Sequence, residues 1–372
     1  MATRDAFYRS SNYFLHVGFI LVICMTGATA VDQSRPTTPR KRWKTPITKE
    51  FCNKMYYLVP AAFIIFGLYD RGPSYLSVLA ATFGSLISFV LVCMVFTEIC
   101  GRYWGRRIQE RTPDYFFDWS TEANKKLFWK EVRESSMCLF TVSLMASFPI
   151  HGKYFNLYPS GLIWTLEEAG LTVWDYAPGF FLGIAGADIW LYTKHRMLHH
   201  RFLYQIHKTH HQFHSPTAFA GFAIHPIEAV WTFFPIILWT PLYHYIPLVF
   251  SSIGGFMLFN CYLHCGYTFQ LLEVLLPLGF FNSSAFHNVH HEKTWTHFGE
   301  VGSFWDMVMG TAAIYDDPLA GTGSDASDSG SAAWSFGACL SSRIRGIAKG
   351  YRWHYERSLG QHKIVKLHKN AF

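Results

Sequence analysis

A chain of 372 residues that is 50% hydrophobic and only 15% charged, with 34 Phe, 20 Tyr and 13 Trp, has too few charged side chains to cover a water-soluble surface. The balance suits a chain whose solvent is largely lipid. The net charge of +7 would fit nucleic acid or an anionic membrane surface, but the basic residues flank apolar runs, so the membrane is the partner and nucleic acid is excluded.

The first apolar run covers 13–31. Ala28-Thr29-Ala30 resembles a signal cleavage site, yet the run approaches the roughly 20 residues that span a bilayer. It reads as an uncleaved helix that sends the chain to the secretory pathway. A basic loop follows, from Arg35 through Lys44 to Lys54. Runs at 55–69 and 75–96, split by Asp70-Arg71-Gly72-Pro73, predict a helical hairpin. A second basic loop, 102–133, leads to apolar runs at 136–150 and 178–193 with an amphipathic stretch between them. The block 227–281 is long enough to enter the membrane and return.

Placing both basic loops in the cytosol brings 194–226 and 282–317 to the cytosolic side as well. Residues 318–333 are low-complexity and predict a flexible linker. The basic tail 334–372 either lies on the membrane surface or is disordered. The eight Cys form no CxxC pair and sit mostly in or beside apolar segments, as packed core thiols do. The fold predicted is an all-α, polytopic membrane helical bundle. Its parts are an N-terminal anchor and basic loop (1–54), transmembrane hairpins with a cytosolic loop (55–177), a histidine-rich cytosolic-face domain (178–317), and a linker with basic tail (318–372).

Histidine is the anomaly: there are 19, and most fall between 195 and 297. Three boxes stand out. His195 and His199 form an HxxxH; His207, His210 and His211 form an HxxHH; His287, His290 and His291 form another. On a helix, positions three and four apart share a face, so each box is expected to aim its imidazoles in one direction. Imidazole suits iron, zinc, copper and nickel. Eight such side chains exceed the about four to six ligands of one ion and fit two ions close together. A cationic cluster for lipid headgroups is the plainer alternative, but it does not explain the repeated spacing.

Further residues join these boxes. His264 is an ionisable group inside an apolar block and reads as a ninth ligand, the alternative being a histidine bonded within the bundle. Asp188, seven residues before His195, and Asp306 read as carboxylates that orient ligating imidazoles. His225, before Pro226, reads either as a site-wall residue or ligand or as a cap or turn residue. His200, His214 and His297 read as surface or supporting residues.

The stretches DIWLYTKHRMLHH, YQIHKTHHQFHSPTAFAGFAIHP and FHNVHHEKTWTHFGEVGSFWDMVMGT resemble the fatty acid hydroxylase / sterol desaturase superfamily over roughly 178–315. The resemblance implies a di-iron centre on the boxes and His264, and O₂-dependent oxidation of a lipid. It implies electrons from NAD(P)H through cytochrome b5 or a similar separate carrier, and an endoplasmic reticulum membrane with the site facing the cytosol. SPTAFAGFAIHPIE is similar to sterol C-5 desaturases (lathosterol oxidases), which favours a sterol substrate and C-5 desaturation in sterol biosynthesis. The alternatives within the superfamily are C-4 methylsterol oxidation and hydroxylation of a sterol, fatty acid or sphingoid base. Departures are His297-Phe298-Gly299 where the family often has Asn-Tyr-Gly, and Asn260 where fatty acid hydroxylases place a ligand.

Two other classes fit less well. A zinc membrane hydrolase needs a general base; Glu292 follows box three, but there is no HExxH and the histidines outnumber the three ligands of a catalytic zinc. A histidine-rich transporter would show paired broken helices or internal repeats, and none is visible.

Overall fold

The computed structural model describes residues 47–107, 122–156, 162–213, 216–238, 244–292, 294, 296–309 and 311–312. The N-terminal apolar run, most of the first basic loop, part of the second, His214, the linker and the tail lie outside the described residues.

The described chain is nearly all helix. Helix α1 (Lys49–Arg71) starts where the Thr48 hydroxyl accepts the Phe51 N–H at 3.1 Å. It stops at Gly72, whose φ of 71° reverses the chain without a Cβ penalty. Helix α2 (Ser74–Trp104) then returns, forming the expected hairpin. Strand β1 (Arg106–Arg107), helix α3 (Glu122–Phe155) and strand β2 (Leu162–Ile163) follow. Helix α4 (Val173–Leu198) opens with a capping box: the Thr172 hydroxyl accepts the Asp175 N–H and the Asp175 carboxylate accepts the Thr172 N–H. After the one-turn α5 (Tyr204–His207) come α6 (Pro226–Leu238), β3 (His244–Tyr245), α7 (Ile246–His264), β4 (Tyr267–Thr268), α8 (Gln270–Leu278), α9 (Ser284–Glu292) and α10 (Phe304–Val308). The strands are two residues each: β1 pairs antiparallel with β4, and β2 parallel with β3.

Among the described residues, α1, α2 and α7 are long and apolar enough to cross a membrane. Helices α3 and α4, which cover the runs at 136–150 and 178–193, do not meet that standard. Helix α3 has a charged first half, and α4 carries Asp175, Asp188, Lys194 and Arg196.

The chain divides into two compact units. The first takes residues up to 89, 134–210 and 222–256. One of its cores packs Tyr75, Leu79 and Leu144, where the Tyr75 hydroxyl donates to the Leu144 carbonyl at 2.7 Å. Another packs Ile163, Ala169, Leu171 and Tyr176, and a third packs Cys52, Leu198 and Ile206. The second unit takes 90–133, 211–221 and residues from 257 onward. In it Met307 and Ala312 pack with Phe280, and the Thr217 hydroxyl donates to the buried Glu131 carboxylate at 2.6 Å. Cys52, Cys93, Cys138, Cys261 and Cys265 are buried free thiols, as their apolar surroundings implied.

Candidate metal centre

In the first unit, α4 turns Lys194, His195 and Leu198 inward. Leu198 packs on Ile206 of α5, and that contact brings His207 to the end of α4. His195 Nε2 then lies 3.1 Å from His207 Nε2 and 3.3 Å from His199 Nε2. The opposite nitrogen of His207, Nδ1, is 2.8 Å from Glu228 Oε1 on α6. A carboxylate oxygen there accepts a proton-bearing Nδ1, which assigns His207 the tautomer whose Nε2 is a lone pair. The potential ligand nitrogens of His195, His199 and His207 lie within 4.8 Å of one another. His210 is buried in the same unit, its ring 5.2 Å from that of His207.

In the second unit the box-three helix α9 is anchored at its start. The Glu273 carboxylate accepts from the Tyr262 hydroxyl at 2.6 Å, from Ser283, and from the N–H groups of Ser284 and Ala285. It thereby satisfies donors at a helix N-terminus. His287 Nε2 sits 2.9 Å from His264 Nε2, and His264 Nδ1–H donates to the Asn260 carbonyl at 2.9 Å. The ring of His291 lies 5.2 Å from that of His264 and 4.9 Å from that of His287. His290 Nδ1–H donates to the Thr296 carbonyl at 2.7 Å, and its Nε2 is 3.2 Å from His211 Nε2. The potential ligand atoms of His264, His287 and His291 lie within 4.8 Å of one another, as do those of His211 and His290.

Three histidines therefore share one arrangement. His207, His290 and His264 each give Nδ1–H to an acceptor and turn Nε2 toward another imidazole. Nitrogen lone pairs facing one another in buried surroundings repel unless a proton or a cation lies between them. A set made of imidazoles, each oriented by a bond to its far nitrogen, is what a transition metal requires. The donor sets of both units fit metal binding.

Box one behaves as a single face, and boxes two and three do not. Box two is split between the end of α5 and a 3₁₀ turn at His210–Gln212, because α5 lasts only one turn. Its first member joins His195 and His199, while His211 pairs with His290. In box three, His290 turns to His211, and His287 and His291 turn to His264.

The supporting residues are placed as follows. Asp188 is half-buried on α4, two turns before His195; the Glu228 carboxylate reaches a box histidine in this unit. Asp306 accepts from the N–H groups of Phe298 and Gly299 and from the Thr311 hydroxyl at 2.7–2.8 Å. It thus fixes the backbone beside Thr296 rather than an imidazole directly. His225 uses both nitrogens structurally: Nδ1 accepts the Ile227 N–H at the start of α6, and Nε2–H donates to the Cys52 carbonyl. His200 is exposed. His297 is fully buried, not on the surface, with φ 58° and its ring 3.8 Å from that of Phe286. A left-handed backbone suits Asn or His, which accounts for His297 where the family often has Asn. Asn260 donates its side-chain amide to the Gly221 carbonyl at 2.9 Å.

Sequence reasoning missed Glu228, Lys194, Glu273 and the carbonyls of Asn260 and Thr296. For Glu228 a signal existed: it is a lone carboxylate in the apolar run PIEAVWTFFPIIL, the same cue that drew notice to Asp188.

Comparison with known proteins bears on these residues. The fatty acid hydroxylase family model matches residues 180–311. Over 133 residues the chain is 35% identical to lathosterol oxidase of Mus musculus, covering 33% of this chain and 41% of that protein. It is 29% identical over 160 residues to a Delta(7)-sterol 5(6)-desaturase of Gibberella zeae, covering 41% and 42%. It is 27% identical over 154 residues to methylsterol monooxygenase 1 of Rattus norvegicus, covering 38% and 51%. The chain thus spans only about half, or less, of the length of these relatives. No solved structure matches. Residues 180–311, which carry all the boxes and His264, match the fatty acid hydroxylase family model and overlap the stretch that is similar to sterol desaturases and a methylsterol monooxygenase.

Proposed function

We propose that this chain is a membrane-bound, O₂-dependent di-iron sterol oxidase that introduces a C-5 double bond during sterol biosynthesis. The observation that carries the reading is the oriented histidine set: His207, His290 and His264, each with Nδ1 tied back and Nε2 presented. In this reading the nine ligands are His195, His199, His207, His210, His211, His264, His287, His290 and His291. Two iron ions, when bound, supply the oxidising power to break an unactivated C–H bond, which no side chain supplies. Forming the double bond removes two hydrogens from the sterol. Those hydrogens, two electrons and two protons reduce O₂ to two waters. The electrons come from NAD(P)H through cytochrome b5 or a similar carrier. Arg201 and Lys208 are exposed beside the boxes and offer an acidic carrier an electrostatic landing point.

The protein's own part is to hold imidazoles, exclude water and place the lipid. Burial of nearly all the box histidines excludes water. Asp188 and Asp306 support the ligands through the elements they lie on. The domain 178–317 carries the chemistry, 1–54 and 55–177 anchor it, and 318–372 is a tether. The site faces the cytosol at the endoplasmic reticulum membrane. The pairing with lathosterol oxidase and the Delta(7)-sterol 5(6)-desaturase favours C-5 desaturation, and the likeness to methylsterol monooxygenase makes C-4 methyl oxidation the second reading.

The test is a sterol profile in a host lacking its own C-5 desaturase. Wild type is expected to convert Δ7-sterols to Δ5,7-sterols, and a His210→Ala/His290→Ala variant to leave them unchanged. Oxidation of a 4-methyl sterol instead would select the second reading. Identical profiles for wild type and variant across all lipids, with both proteins folded and supplied with carrier, would reject the oxidase.

A further inference from the structure

Next to His195 stands a lysine that the site described so far does not use. Lys194 is 1% exposed, and its Nζ lies 3.9 Å from Glu228 Oε1, with the two side chains 2% and 1% exposed. A lysine stem normally lets the ammonium reach water, and here it does not. Burying an ammonium and a carboxylate is costly unless each compensates the other. The oxygen that faces Lys194 is the same one that accepts His207 Nδ1–H at 2.8 Å. Glu228 Oε2 has no hydrogen-bond partner among the described residues, and neither has the buried Thr232 hydroxyl one turn further along α6. The two contacts of Lys194 and His207 thus converge on the single oxygen Oε1 of Glu228.

The contacts form a line across three elements. Lys194 belongs to α4, Glu228 to α6 and His207 to α5. We propose that Lys194 is a positioning residue for the metal ligand His207, acting through Glu228. The ammonium neutralises the buried carboxylate and holds it on the Nδ1 side of the ring. The ring's Nε2 then stays aimed at His195 and its neighbour His199. This rests on the reading of the histidines as metal ligands.

The experiment uses the full chain in lipid nanodiscs, loaded with Co²⁺, whose absorption reports coordination. Metal loss to excess chelator is followed for wild type, Lys194→Met, Glu228→Gln, the Lys194→Met/Glu228→Gln double variant and Lys194→Arg. Each of the first two single changes is expected to weaken retention about 10-fold and to alter the Co²⁺ spectrum. The double variant is expected to be no worse than either single one, because both act along one line of contacts. Lys194→Arg is expected to recover most of the loss. Wild-type retention in Lys194→Met overturns the proposal, and so do multiplicative losses in the double variant. If Lys194→Met does not fold, the double variant, which leaves no lone buried charge, and Lys194→Arg decide by the same criteria. If wild type binds no metal, the metal reading itself falls, a result distinct from any difference among the variants.

Discussion

A Cβ built on Gly221 would lie 2.9 Å from His264 Nδ1 and 2.7 Å from the Asn260 amide nitrogen. Backbone at 221 thus presses directly on the bond that orients His264. Gly221→Ala must push aside either the ring or the amide, and overpacking of this kind costs about 1–3 kcal/mol. The variant is expected to melt lower and to hold metal at least several-fold more weakly, read by unfolding midpoint and metal content after chelator challenge. An Ala variant that binds metal as wild type does would remove His264 from the centre.

Asp306 gathers two backbone N–H groups and one hydroxyl, and it is 1% exposed. Asp306→Ala leaves those donors buried, a loss of about 3 kcal/mol or more. Because the same loop presents the Thr296 carbonyl to His290, metal retention is expected to fall along with stability. Chemical denaturation of the purified variant measures the first and metal analysis the second.

His225 gives a pH dependence. Burial pushes its imidazole below the ordinary histidine range, against the pull of the Cys52 carbonyl and the carboxylates of Glu228 and Glu134. The fold therefore prefers the neutral ring. Stability is full above the unfolded value of about 6.5 and falls as the pH drops below it, since the unfolded chain takes the proton more readily. Protonation at Nδ1 would also end its acceptance of the Ile227 N–H. Unfolding midpoints at pH 7.5 and 5.5 are expected to differ less in His225→Asn, which keeps a cap acceptor without a titratable ring.

Tyr75 offers a contrast away from the histidines. Tyr75→Phe removes one buried hydrogen bond to the Leu144 carbonyl and is expected to cost about 1 kcal/mol. Metal content and product yield per folded protein should not change. A loss of metal in this variant would mean that stability alone governs retention, which would weaken the reading of the Gly221 and Asp306 variants.

Much of the candidate site was legible because its histidines repeat at intervals of three and four. The grouping of His195 with His199, and of His287 with His291, needed only helical periodicity. The partition of the histidines was not legible, since it depends on α5 ending after one turn, and so short a helix is set by packing of Leu198 on Ile206 rather than by local preference. The acceptors behind the rings were hidden for a different reason. Glu228 lies 21 residues from His207, and the other two are main-chain carbonyls, which carry no residue signature. The hairpin of α1 and α2 was readable from its turn residues, whereas the polar first half of α3 extends a helix that apolar runs alone place later.

Two of the three oriented imidazoles lean on the main chain, at Asn260 and Thr296, and one leans on a side chain, at Glu228. Mutation reaches these supports unequally. Any residue at 260 or 296 still offers its carbonyl, so those props tolerate drift in the genetic text so long as the backbone keeps its path. Glu228 has no such insurance, and in a saturation screen its codon should be the least forgiving of the three.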